Sequence, residues 1–289
     1  MPTPSRVPCA YLALNFGCCG DARVLADLAA ESEAAGWDGF FVADHLQWPG
    51  FEPAVDPWIA LAAIAMRTER IAIGTNVTPL PRRDVVKLAR ETVSVDRLSG
   101  GRLILGVGLG YDRLPEWSGF GHETDARVRG AMLDEGLDVL AALWCGAPVD
   151  HRGAHFQVQC EAFAPPLQQP RIPVWVAGLW PSRKPFRRAA KWDGVSAMSS
   201  SWDAGGVLSV ADLRDIRAFV AAAGNDRADF EIVVTGATTG PGDSSRVEEL
   251  AAAGLTWWLE MAPSFQQTLD DIRSRIRKGP PTPSQASDA

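Results

Sequence analysis

The stretch RIAIGTNVTPLPRRDVVKLARETVSVDRLSGGRLILGVGLG, residues 70–110, constrains the fold more than any other part of the chain. It opens on a short apolar run, Ile71 to Gly74, bounded by polar residues, as a strand buried on both faces requires. Val86, Ala89, Val93 and Leu98 follow at spacings of three to five and predict a helix. The helix stops at Ser99-Gly100-Gly101, where glycine can take the left-handed conformation that closes a helix. Leu103 to Val107 then predicts a second buried strand, running into Gly106, Gly108 and Gly110. Strand, helix and strand within about 40 residues make a βαβ unit, whose connection is long enough for a right-handed crossover between parallel strands.

The same alternation runs through the chain. Apolar runs predict strands at 9–16, 38–43, 70–75, 102–107, 172–177, 194–198, 230–236 and 255–261. Helical patterns fill the gaps at 21–35, 57–67, 84–98, 125–143, 183–191, 210–223, 244–253 and 266–276. Asp56-Pro57 reads as an N-cap followed by proline at the first helical position. Eight strand–helix repeats point to an α/β fold, a (β/α)8 barrel, rather than an open doubly wound sheet. The gap between strands four and five, roughly 111–170, is too long for one helix. Its HRGAHFQVQCEAFAPPLQQP reads as an inserted hairpin with a proline-rich exit. One domain is expected over 1–277, with a polar, proline-rich and disordered tail at 278–289.

Composition excludes some classes. The formal charge is −7, which disfavours a nucleic-acid or anionic-membrane partner. No 18-residue apolar run exists and the N-terminus lacks a secretory pattern, so a cytoplasmic protein is expected. Five cysteines without C-x-x-C spacing predict no metal site and suit a reducing compartment. Cys18 and Cys19 near the first strand end suit either a reactive thiol or an inert loop pair.

In a barrel, functional groups gather at the C-terminal strand ends, because the loops there form the adaptable mouth. Strand two ends at Asp44-His45, an adjacent carboxylate and imidazole able to relay a proton or meet a ring edge. Read as residues alone, the pair better suits a loop cap beside polar mouth lining. Thr78 can bond a ring or sit solvated before Pro79, and the GxGxG after strand four lacks the context of a dinucleotide fingerprint. Gly178-Leu179-Trp180-Pro181-Ser182-Arg183 leads into a helix N-terminus, suited to a phosphate. Arg183, Lys184, Arg187 and Arg188 form a basic cluster, either a solvated face or a seat for an anionic tail.

The string TPLPRRDVVKLARETVSVDRLSGGRLILGVGLG resembles the luciferase-like monooxygenase superfamily, whose members use FMN or the deazaflavin coenzyme F-420. GWDGFFVADH at 36–45, DPWIALAAIAMRTERIAIGT at 56–75 and, less closely, IPVWVAGLWPSRKPFRRAAKWDGV at 172–195 carry the same resemblance, over roughly residues 9–265. ADHLQW is also similar to the SDHFQ-type segment of deazaflavin-dependent dehydrogenases. The resemblance implies a flavin- or deazaflavin-dependent oxidoreductase performing hydride transfer or monooxygenation on a small organic substrate. Asp44 and His45 would be catalytic, with Asp44 orienting the imidazole and also contacting the cofactor. Asn76, Val77 and Thr78 would meet the ring, with Asn76-Val77 a cis peptide, and Gly108 and Gly110 would let backbone approach it. Gly178, Leu179, Trp180, Ser182 and Arg183 would receive its phosphate, although AGLW departs from the usual GG or GNS. Trp48, Tyr111, Ser199, Trp202 and Glu260 would line the substrate pocket. Sugar-phosphate dehydrogenases of this fold carry a glutamate just after strand four, where this chain has Leu109-Gly110-Tyr111, which argues against that substrate. The resemblance further implies a homodimer through helices two and three. Two rivals stand beside this reading: a non-catalytic flavin-binding protein, and a hydrolase or aldolase using Asp44 and Glu260. The latter would need a metal or a Schiff-base lysine, and no lysine ends a predicted strand.

Overall fold

The computed structural model describes residues 6–111, 115–261 and 266–281. Its elements run β1 (Cys9–Ala13), α1 (Ala22–Ala34), β2 (Gly39–Val42), α2 (Pro57–Arg67), β3 (Ala72–Pro79), α3 (Val85–Leu98), β4 (Leu103–Gly108), α4 (Ala126–Trp144), β5 (Val149–Arg152) and β6 (Gln157–Cys160). They continue with β7 (Val174–Trp180), α5 (Arg183–Ala189), β8 (Gly194–Ser199), α6 (Val210–Ala222), β9 (Glu231–Gly236), α7 (Ser245–Ala251), β10 (Trp257–Met261) and α8 (Leu269–Arg277). Eight strands close into a barrel in the order β1-β10-β9-β8-β7-β4-β3-β2, while β5 and β6 form a separate antiparallel pair. Every predicted strand and helix is present, and the expected hairpin is that pair. No helix among the described residues is long and apolar enough to cross a membrane.

Local signals account for the element ends. The Asp56 carboxylate accepts from the amides of Trp58 and Ile59, and Pro57 occupies a position whose missing N–H costs nothing. Gly100 and Gly101 take φ of +71° and +85° after α3, a region other residues enter only with strain. Two strands run three or more residues past their predicted ends. β3 runs on to Pro79 because its register against β4 shifts between Thr75 and Thr78, and β7 continues through Leu179 and Trp180.

The chain divides into two compact units. One comprises residues 14–26 and 42–174. Here the insertion is stitched to α3: buried Asp96 accepts from the amides of Leu167 and Gln168 and from the Gln168 side chain. Glu135 of α4 accepts from the His155 and Phe156 amides and pairs with His151, closing the hairpin turn. The other unit comprises residues 1–13, 27–41 and 175–289. Its core holds Phe41 stacked on Trp175 at 5.1 Å, with Trp257 beside both. Both indoles donate to Glu231, whose carboxyl burial pushes above its ordinary range. Residues 278–281 of the expected tail belong to this unit, with Gly279, Pro280 and Pro281 buried and Arg275 donating to the Gly279 carbonyl. Residues 282–289 lie outside the described part.

Candidate active site

Asp44 and His45 follow directly on β2, and their side chains have different partners. Asp44 is buried, and its Oδ1 accepts from Arg82 Nη2 at 3.0 Å and from Arg83 Nη2 at 2.6 Å. Arg82 also donates to the Asp44 main-chain oxygen at 2.8 Å. The expectation that Asp44 orients the imidazole is therefore corrected. Two guanidiniums from the turn after β3 hold the carboxylate, which is how a charge with no solvent exposure stays compensated.

The partner of His45 is Glu116. His45 Nδ1 lies 2.8 Å from Glu116 Oε2, while Glu116 Oε1 accepts from the Leu46 amide at 2.5 Å and the Gln47 amide at 3.3 Å. Arg82 Nη1 is 3.5 Å from the same Oε1, so one guanidinium bridges both carboxylates. Burial works to raise the Glu116 carboxyl, but His45, the Leu46 amide and Arg82 together outweigh it and hold the group below its ordinary value. Glu116 is not among the residues that the sequence singles out: the positions immediately after β4 are Leu109-Gly110-Tyr111, and the loop supplies its carboxylate several residues later.

The main chain around His45 is clamped. Asn15 Nδ2 donates to the His45 and Val55 carbonyls, both at 2.8 Å, and Asn15 Oδ1 accepts from the His45 amide. Trp48 stacks on Phe16 at 4.8 Å and meets the imidazole edge-on at 5.0 Å, and Phe16 meets it edge-on at 5.8 Å. Trp48 thus stands beside His45 as a pocket wall would. The imidazole keeps about a third of its surface exposed, against 4% for Glu116.

On β3, Asn76-Val77 is cis, as the resemblance implies. Asn76 Oδ1 is buried with no partner among the described residues, and so is Asp44 Oδ2. Buried acceptors of this kind are rarely left unpaired, and they fit a ring edge that carries N–H groups. The Thr78 hydroxyl donates to Thr75, whose own hydroxyl donates to the Gly106 carbonyl, so Thr78 offers a ring only its acceptor side. Gly108 ends β4 opposite Pro79. Gly110 has φ of +73°, and a Cβ there would stand 2.2 Å from Trp117. Packing against Trp117 by itself requires glycine at this position. Trp117 is fully buried, with the Arg129 guanidinium 4.6 Å and that of Arg82 5.8 Å from its ring. Tyr111 is exposed.

The remaining expected site residues belong to the other unit. Glu260 departs most from expectation. It is 1% exposed, and its carboxylate accepts from the Thr238 amide and hydroxyl, Arg275 Nε and the Trp258 indole. Four donors saturate it, so it is a structural anion tied to α8 rather than a pocket wall. Asp44 is ion-paired through Oδ1 to Arg82 and Arg83, so both carboxylates of the hydrolase reading already face guanidiniums. Trp180 is buried against Phe186, and Arg183 stacks on Trp180 at 4.1 Å and on Phe219 at 4.8 Å. Ser182 occupies the N-cap of α5 without a side-chain capping bond, and Leu179 is exposed. A Cβ on Gly178 would lie 3.0 Å from Phe186, which explains that glycine by packing. The Ser199 hydroxyl pairs with that of Ser201, and Trp202 is partly exposed. No cluster of metal-ligating side chains occurs among the described residues.

The strands close into a parallel barrel, and the clamped His45 follows its second strand. A family model described as luciferase-like monooxygenase matches residues 3–287, and the chain belongs to that family. The F420-dependent glucose-6-phosphate dehydrogenase of Nakamurella multipartita is 31% identical over 186 residues, covering 63% of this chain and 52% of its own. The oxygenase component of a flavin-dependent trigonelline monooxygenase from Acinetobacter baylyi is 32% identical over 154 residues, covering 49% and 41%. The chain spans about half the length of the curated relatives it matches. Among solved structures, an F420-dependent secondary alcohol dehydrogenase in complex with an F420-acetone adduct superposes with a TM-score of 0.75. It shares 15% identity and covers 94% of this chain and 99% of its own. A coenzyme F420 dependent tetrahydromethanopterin reductase from Methanopyrus kandleri gives 0.72 at 15% identity, covering 95% and 99%. At such identity these likenesses concern the fold.

Proposed function

We propose that this protein is a deazaflavin- or flavin-dependent oxidoreductase that transfers hydride between its cofactor and a small alcohol or carbonyl substrate, with His45 as the proton-handling group. The observation that carries the reading is the imidazole held through Nδ1 by a buried carboxylate at 2.8 Å, which leaves Nε2 for the substrate. Removing hydride from an alcohol carbon requires loss of the hydroxyl proton, and an oriented imidazole is a base suited to take it. The cofactor would supply a ring that accepts or donates the hydride. Asn76 Oδ1, buried with no hydrogen-bond partner among the described residues, would accept from its N–H edge, with Val77 and Thr78 beside it. Arg82 and Arg83 are both ion-paired to carboxylates, so this charge-balanced cluster offers a sugar phosphate little net positive charge.

The test begins with fluorescence titration against FMN, FAD and F-420, followed by a panel of secondary alcohols and ketones with the cofactor that binds. His45→Ala should lower turnover by about 10²–10⁴-fold while sparing cofactor affinity. Substrate-dependent oxygen consumption with reduced FMN would instead select the monooxygenase reading, and binding without any turnover the non-catalytic one. Residues 1–277 as one catalytic domain, a cytoplasmic location and a homodimer complete the proposal. Ile59 and Met66 of α2, two turns apart and 63% and 73% exposed, support association through that helix. Light scattering that gives a monomer mass at micromolar concentration would remove the dimer.

A further inference from the structure

We propose that Glu116 is a positioning residue that fixes the tautomer of His45, keeping the neutral imidazole protonated on Nδ1 and bare on Nε2. The inference rests on the reading of His45 as the proton acceptor and deepens it. The two oxygens of Glu116 divide their work. Oε1 takes the Leu46 and Gln47 amides and faces Arg82, whereas Oε2 is left to His45. A residue that only anchored the loop would need Oε1 alone.

An ionised carboxylate can accept hydrogen bonds and donate none. Burial opposes ionisation of Glu116, yet His45, the Leu46 amide and Arg82 outweigh it. With no proton on Glu116, the 2.8 Å contact forms only when Nδ1 carries the hydrogen. A half-turn of the ring would set a carbon against the carboxylate, and Phe16 and Trp48 pack edge-on against the imidazole. Asn15 fixes the main chain on both sides of the same residue's Cα. Arg82 then links Glu116 to Asp44, so the orienting carboxylate is itself held from behind. The carboxylate comes 71 positions further along the chain than the imidazole it serves.

The experiment is nitrogen-15 NMR of the full chain labelled at histidine, without added cofactor, above about pH 8 where imidazoles are neutral. Only four histidines contribute signals, and loss of one set in His45→Gln identifies His45. Wild type should show a protonated Nδ1 and a bare Nε2. In Glu116→Gln the Leu46 and Gln47 amides retain the carbonyl oxygen, which places the amide NH2 against Nδ1. That group donates, so the His45 proton should move to Nε2. Cofactor affinity should stay unchanged in this variant, and turnover should fall by about 10²–10⁴-fold through kcat rather than KM. An unchanged tautomer in Glu116→Gln would overturn the proposal. So would a predominantly Nε2-protonated His45 in wild type, a result that needs no variant to fold. The expected tautomers without turnover on any alcohol or ketone would instead remove the hydride-transfer reading and leave this assignment standing.

Discussion

Replacing Asp44 with alanine separates a structural role from a catalytic one. The Asp44 side chain has no solvent exposure, and its Oδ1 serves two guanidiniums at 3.0 and 2.6 Å. Once it is removed, Arg82, itself 2% exposed, retains the Asp44 main-chain oxygen and a 3.5 Å approach to Glu116. Arg83 retains Asp56 at 3.5 Å, a carboxylate nearly half exposed and correspondingly screened. Leaving a buried charge without its partner costs about 3–5 kcal/mol, and two such charges place Asp44→Ala at the upper end. Asp44→Asn keeps the acceptor and loses the charge, so about 1.5–3 kcal/mol is expected. Urea unfolding followed by circular dichroism should show these losses as lower midpoints at constant slope, and Asp44→Ala should lower Tm by roughly 6–20 °C. The double variant Asp44→Ala/Arg83→Ala should lose less than the sum of the two singles, by about 0.5–3 kcal/mol. If Asp44→Ala costs under about 1 kcal/mol while abolishing cofactor binding, the carboxylate serves a ligand and the reasoning fails.

Three further outcomes are expected. Gly110→Ala must place a Cβ 2.2 Å from Trp117 at φ of +73°; conformational strain of about 1–2 kcal/mol and overpacking of about 1–3 kcal/mol should add in thermal unfolding. Glu260→Ala removes the carboxylate facing Arg275, which keeps the Thr238 and Gly279 carbonyls, and takes the acceptor from three other donors; breaking this buried pair should destabilise by about 3–5 kcal/mol, with KM unmoved for whatever substrate the enzyme accepts. Glu116 has a folded-state pKa below its unfolded value. Its contribution to stability is therefore present above about pH 4.3 and is lost as pH falls through the lower folded value. Glu231, raised by burial, acts in the opposite sense, contributing stability at low pH that fades as pH rises through its folded value. Urea midpoints across pH 3 to 6 should accordingly converge at the acid end for wild type and Glu116→Gln; parallel curves would show that Glu116 adds no acid-sensitive term.

The order of strands and helices was legible in the chain because it depends on near neighbours. Hydrophobic period, the Asp56-Pro57 start of α2 and the glycine stop after α3 each act within a few residues, and eight repeats leave few ways to close a sheet. The position of Asp44 and His45 at a strand end followed from the same counting. What their side chains touch did not. Asp44 is held by arginines 38 and 39 positions away, His45 by a glutamate 71 positions away, and Glu260 by an arginine 15 positions away on α8. A carboxylate in a sequence carries no mark of whether its lone pairs will be consumed. Burial makes that decision, since a charge removed from water must find its partners wherever folding brings them. Only the tertiary structure therefore set two arginines against Asp44, turned Glu260 into a structural anion and made Glu116 the neighbour of the imidazole.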